Sequence, residues 1–146
     1  MNRKTRPCLC LGAGLLLAAS GAWVVRAQQK GNANFTGTIT RLESPKGAIA
    51  HIHFDAGART KWHIHEGGQV ILVEEGVGLA QVKGGPVIEL HAGQSLYCPP
   101  GVPHWHGAAP HEGGTQLNLT MGGIQWLNEV TEKEYTAKPQ QIKIPR

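Results

Sequence analysis

Short apolar runs broken by glycine and proline constrain this chain more than any other feature. Thr36–Leu42, Ala48–Phe54, Gln69–Val73, Gly78–Val82, Val87–Leu90, Ser95–Cys98 and Thr115–Met121 each span four to seven residues. That is strand length, and it is too short for a core helix. The 20 glycines and 9 prolines among 146 residues supply turns between the runs. Lys83-Gly84-Gly85-Pro86 is the clearest hairpin turn, and no repeat of solenoid length is present. The pattern predicts one all-β domain, a sandwich or barrel. One short helix is expected over Leu127–Ala137, with Leu127 and Val130 packed down and Glu129, Glu132 and Glu134 outward. Lys138–Arg146, with two prolines, reads as an extended tail that can cross to a second subunit.

The first 27 residues read as a secretory signal. Arg3, Lys4 and Arg6 form a positive start, Cys8–Val25 an apolar core, and Val25-Arg26-Ala27 a cleavage site. An uncleaved anchor is the alternative, because 18 apolar residues approach the spanning length. The small residues Ala18, Ala19, Ser20, Gly21 and Ala22 late in the run favour cleavage. Cys8 and Cys10 precede the apolar core, which argues against a lipoprotein. Residues 28–34 read as a polar, flexible lead-in.

Cleavage changes the charge argument. Losing Arg3, Lys4, Arg6 and Arg26 takes the 14 basic residues to 10, equal to the 10 acidic ones. A neutral mature chain gives no electrostatic case for nucleic acid. Cys98 is then the only cysteine, so no intrachain disulfide forms. A β-barrel of about 110 residues can still bury a sufficient core in an oxidising compartment. The expected location is periplasmic or secreted, with no membrane contact after cleavage.

The chemistry concentrates in two stretches. Gly57 is followed by His63-Ile64-His65, Gln69 and Gly76; Gly93 is followed by Pro99-Pro100-Gly101 and His104. Side chains alternate along a strand, so His63 and His65 point to one side. Gln69 returns from the next strand and His104 comes from a distant one. Three imidazoles and an oxygen donor suit one divalent ion, Mn, Fe, Co, Ni or Zn, with positions open for water or substrate. Gln69 is read as a ligand through its amide oxygen, the alternative being a pocket hydrogen-bond donor. With Gln in place of an acid the ion keeps its full +2 charge, and a bound hydroxyl becomes more acidic.

The remaining histidines carry less weight. His106 lies two residues past His104 and shares its face; it reads either as a general base or as a packed, hydrogen-bonded histidine. His51 and His53 alternate with Ala50, Ile52 and Phe54, which sends both outward or to a subunit interface. His91 and His111 sit in turn-like contexts. Trp62 and Trp105 flank ligands on the opposite strand face, where packing or dimer contacts are expected.

The two glycine-bounded blocks resemble the two motifs of the cupins, over residues 35 to 121. The resemblance implies a single-domain, jelly-roll-like cupin β-barrel over 35–137, with residues 138–146 as its tail. Two positions depart from the general pattern: Gln69 stands where cupins usually carry Glu, and Ala108 where the second motif usually ends in Asn. Phe35-Thr36-Gly37-Thr38, Gly57-Ala58-Arg59-Thr60-Lys61-Trp62-His63 and His104-Trp105-His106-Gly107-Ala108-Ala109-Pro110 are similar to the bacterial cupin-type hydroxynitrile lyases. Gln125-Trp126-Leu127-Asn128-Glu129-Val130-Thr131 is similar in outline. Those enzymes use manganese, carry Gln as fourth ligand and cleave cyanohydrins to an aldehyde and hydrogen cyanide. Gln116 falls where they have a pocket histidine, and Thr120 where they have a glutamine.

The resemblance implies manganese as the metal, a small-molecule substrate and a homodimer. It makes His63, His65, Gln69 and His104 the ligands, with His106 the base and Gln116 a polar group near the departing cyanide. Two other readings use the same site: a dioxygenase or oxidase, and a periplasmic cupin binding a small sugar or acid without turnover.

Overall fold

The computed structural model of the protein describes residues 27–29, 33–42 and 49–142. Of the expected signal segment 1–27, the residues up to Arg26 lie outside the described residues, as does the end of the tail from 143. Among those residues the chain forms β1 (Ala27–Gln29), β2 (Phe35–Thr36), β3 (Ile39–Leu42), β4 (Ile49–Phe54), β5 (Arg59–Thr60), β6 (His63–His65) and β7 (Gln69–Val82). It continues with β8 (Val87–His91), β9 (Ser95–Cys98), β10 (His104–Ala108), β11 (Gly114–Thr120), β12 (Ile124–Trp126), α1 (Glu132–Tyr135) and β13 (Gln140–Gln141).

The 14-residue β7 joins two faces into a nearly closed barrel. Its first half pairs with β11 and β9, and β11 continues through β4 and β3 to β1. Its second half pairs with β10 and β8; β10 also carries β5 and β6. The two expected runs Gln69–Val73 and Gly78–Val82 are therefore one strand that bends between the faces. Gly76 sits at the bend with φ 70°, and a Cβ there would lie 2.1 Å from the Gly113 carbonyl oxygen. No L side chain fits that corner. The Lys83–Pro86 turn forms as expected, closed by Gly85 N–H donating to the Val82 carbonyl at 2.9 Å.

Alternation sorts residues into three buried clusters. Ile39, Ile52, Phe54, Ala58 and Ala108 fill one end of the interior. Ile71, Val73, Ala80, Leu90 and Cys98 form a second group. The third lies outside the barrel wall, where Trp62, Leu79, Val87 and Trp105 meet Val130 and Tyr135. Both tryptophans are packing residues, as their strand face predicts.

The helix is shorter than the sequence suggests. Thr131 forms a capping box with Glu134, so α1 starts only at Glu132. The preceding segment is held extended, because Leu127 N–H donates to Trp62 O and Trp62 N–H to Asn128 O. The ends also differ from expectation. Ala27–Gln29 pairs with β3, so part of the supposed flexible lead-in is an edge strand. Gln140–Gln141 adds in parallel to β8 of its own chain.

Candidate metal centre and its cavity

His63 and His104 are direct Cα partners across β6 and β10, which places both imidazoles on the inner face. His65, two residues on, shares that face. The available ligand atoms of His63, His65 and His104 all lie within 4.8 Å of one another, and all three residues are buried. Gln69 enters from the start of β7. Its Oε1 lies 2.8 Å from His104 Nε2 and 3.4 Å from His63 Nε2. The four residues singled out as ligands thus converge.

Hydrogen bonding fixes what these atoms present. His63 Nδ1 sits 2.9 Å from the Lys61 carbonyl, and His104 Nδ1 3.0 Å from the Val102 carbonyl. A carbonyl only accepts, so each Nδ1 carries the proton and each Nε2 presents a lone pair. Those lone pairs face the amide oxygen of Gln69, another acceptor, with no proton between them. A cation removes that conflict, so the donor set fits a divalent metal ion. His65 Nδ1 is buried without a hydrogen-bond partner.

Electrostatics agree. Burial, reinforced by the neighbouring His104, pushes the His63 pKa down to about 3. Burial also lowers those of His104 and His65; for His104 the Val102 carbonyl offsets only part of this. Three neutral imidazoles and an amide leave an ion's charge undiminished.

His106 lies beside this group, its ring 5.4 Å from that of His63 and edge-on to Phe54 at 5.6 Å. Gln116 holds it in place. The Gln116 Nε2 donates to the Gly107 carbonyl at 2.8 Å, which turns Oε1 toward His106 Nδ1, also at 2.8 Å. His106 Nδ1 is therefore the protonated nitrogen, and Nε2 is left as a basic lone pair. Burial, then the nearby His63, holds the His106 pKa well below the ordinary histidine value. Gly78 makes room for this amide, since a Cβ there would lie 2.9 Å from Gln116 Nε2. Gln116 is fully buried behind His106 and does not line the cavity.

A cavity of about 420 Å³ opens beside the cluster. His63, His65, Gln69 and His106 form its polar end, and Phe35, Ile52, Ile124 and Trp126 its apolar walls. Thr120, Arg41 and Asn118 also line it. The last two escaped the sequence reading, although Asn118 lies midway between Gln116 and Thr120 on the same strand face. Alternation alone could have found it. The other histidines lie elsewhere: His53 Nδ1 is 3.0 Å from Thr115 Oγ1, His51 is 3.7 Å from Glu74, and His91 is 2.8 Å from Glu89, while His111 is exposed.

A barrel of this topology with three inward histidines and an amide at one end defines a class: the chain belongs to the cupin family. The cupin domain family matches residues 50–118. The chain is 40% identical over 121 residues to an (R)-mandelonitrile lyase of Granulicella tundricola, covering 75% of this chain and 92% of that protein. It is similar to the crystal structure of a cupin-like protein from Thermotoga maritima, with 37% identity and a TM-score of 0.67 over 75% of this chain and 91% of that one. A cupin 2 conserved barrel domain protein from Rhodopseudomonas palustris shares the fold at 17% identity, with a TM-score of 0.55 over 73% of this chain and 77% of that one.

Proposed function

We propose that this cupin is a manganese-dependent hydroxynitrile lyase that cleaves a cyanohydrin to an aldehyde and hydrogen cyanide. The observation that carries the reading is the tautomer of His106. Its Nδ1 is tied to Gln116, which leaves Nε2 unprotonated on a side chain that lines the cavity beside the three-histidine cluster. A similar protein bears the name of that activity.

His63, His65, Gln69 and His104 would hold the ion, which supplies a Lewis acid that stabilises negative charge on a substrate oxygen. His106 Nε2 accepts the substrate hydroxyl proton as the C–O bond becomes a carbonyl. The C–C bond to the nitrile breaks, and its electron pair leaves with cyanide. His106 then returns the proton to cyanide, giving hydrogen cyanide and the neutral base. Gln116 acts through His106 by fixing its tautomer. Phe35, Ile52 and Trp126 exclude water and seat the apolar part of the substrate. The neutral ligand set also disfavours an oxidised metal, which weighs against the oxidase reading.

The test is cyanide release from mandelonitrile by manganese-loaded mature protein, beside metal-stripped protein and His65→Ala. Metal-dependent release supports the proposal. No release from folded, fully metallated protein overturns it.

A further inference from the structure

The inner face of β11 carries three successive polar residues, Gln116, Asn118 and Thr120, flanked across the sheet by Ile52, Ala50, Val73 and Ile71. Polar side chains in an otherwise apolar wall need partners, because a buried polar atom without one loses its hydration and gains nothing in return. Gln116 makes two hydrogen bonds. Asn118 does not satisfy itself in this way. It is 1% exposed and lines the cavity, and its Nδ2 donates to the Gln116 backbone carbonyl at 3.2 Å. That carbonyl only accepts, so the amide cannot be turned the other way round. The remaining atom, Oδ1, is buried and has no hydrogen-bond partner within the protein.

We propose that Asn118 is a substrate-binding residue, and that the cavity takes a hydroxy compound bearing a second hydrogen-bond donor, a hydroxyl or amino group, on its skeleton. The inference rests on the cavity being the substrate pocket of the proposed lyase. It assigns a specificity element to that pocket.

Position supports the class. Asn118 pairs with Ile71, two residues along β7 from Gln69, which pairs with Thr120. Two strand residues span about 7 Å. That is roughly the distance from a benzylic oxygen to a substituent across an aromatic ring. Aromatic and aliphatic side chains line the same cavity, with the Trp126 ring 5.0 Å from His63 and 5.8 Å from Phe35. A flat ring carrying a reacting hydroxyl at one end and a donor at the other matches this arrangement. Oδ1 accepts and does not donate, so a methyl ether in place of the second hydroxyl fits the same space without the bond.

The test is isothermal titration of manganese-loaded protein with unreactive probes: benzyl alcohol, 3- and 4-hydroxybenzyl alcohol, and the matching methoxybenzyl alcohols. Wild-type protein should bind one hydroxybenzyl alcohol about three- to tenfold more tightly than benzyl alcohol or its own methyl ether, the range of one neutral hydrogen bond. Asn118→Leu should bring that ratio to about one without changing bound manganese, and Asn118→Ala should do the same. Equal binding of all probes by wild-type protein, or an unchanged preference in both variants, overturns the proposal. The probes carry no leaving group, so the result does not depend on turnover. A preference lost in the variants, together with no cyanide release, sinks the lyase reading and leaves this assignment standing.

Discussion

The two faces of β10 show how one strand divides its work. Inward, His104 joins the three-histidine cluster and His106 lines the cavity, and their hydrogen bonds to Val102 and Gln116 fix tautomers. Outward, Trp105 is fully buried against Tyr135 and donates its indole N–H to Gln81 Oε1 at 3.0 Å. The inner face is polar yet buried, so each group needs a specific partner. The outer face is apolar and needs only to be covered, which α1 and the segment before it do. Substitutions on the inner face should change chemistry, and those on the outer face stability.

The sharpest test of the inner face is His104→Ala. It removes one of three converging imidazoles, and bound manganese and cyanide release should both be lost. Elemental analysis of dialysed protein checks the first, and a cyanide assay the second. Retained metal would shift the centre away from β10.

On the outer face, Trp105→Ala should cost about 3–5 kcal/mol, because a large side chain is lost from a closed cluster. Chemical denaturation measures the cost, while bound manganese in the folded protein should stay unchanged. Metal loss at full stability would reverse the two faces.

Acid separates the faces without mutation. The His63, His65, His104 and His106 pKa values are all depressed, chiefly by burial. Above the ordinary histidine value of 6.5 these groups are neutral both folded and unfolded, and the stability is fully present. As pH falls below 6.5 the unfolded chain takes up protons that the folded one refuses, down to about 3 for His63. Metal-free protein should therefore lose stability progressively from pH 6.5 downward, as melting temperatures across that range would show. A flat profile would mean that the inner histidines are not neutral when folded.

The smallest effect is expected at the edge of the outer cover. Thr131→Ala removes the N-cap of α1 and should cost about 1 kcal/mol, with manganese binding unaffected. Denaturant midpoints resolve a change of that size.

Much of this was legible from the residues themselves. Alternation placed His63 and His65 together and sent Trp62 and Trp105 to the opposite face. The spacing of Gln69 and His104 brought both to the same centre. What stayed hidden depended on contacts across the barrel. Gln116 is polar and inward by pattern, yet only its bonds to His106 and Gly107 show that it holds His106 from behind. Asn118 carries no motif, and its importance comes from an oxygen left without a partner. The helix start moved because the 127–128 backbone bonds to Trp62, a pairing between segments some 65 residues apart. β7 runs unbroken past Gly76 because a residue able to turn a corner need not end a strand.

The central claim is that the inner histidines divide into three that hold a metal and one that moves a proton. Bound manganese and cyanide release measured together on His106→Ala test it most directly. The account predicts a full complement of manganese and turnover down by about 10²- to 10⁴-fold, the usual contribution of a general base. Lost manganese, or turnover at the wild-type rate, would contradict it.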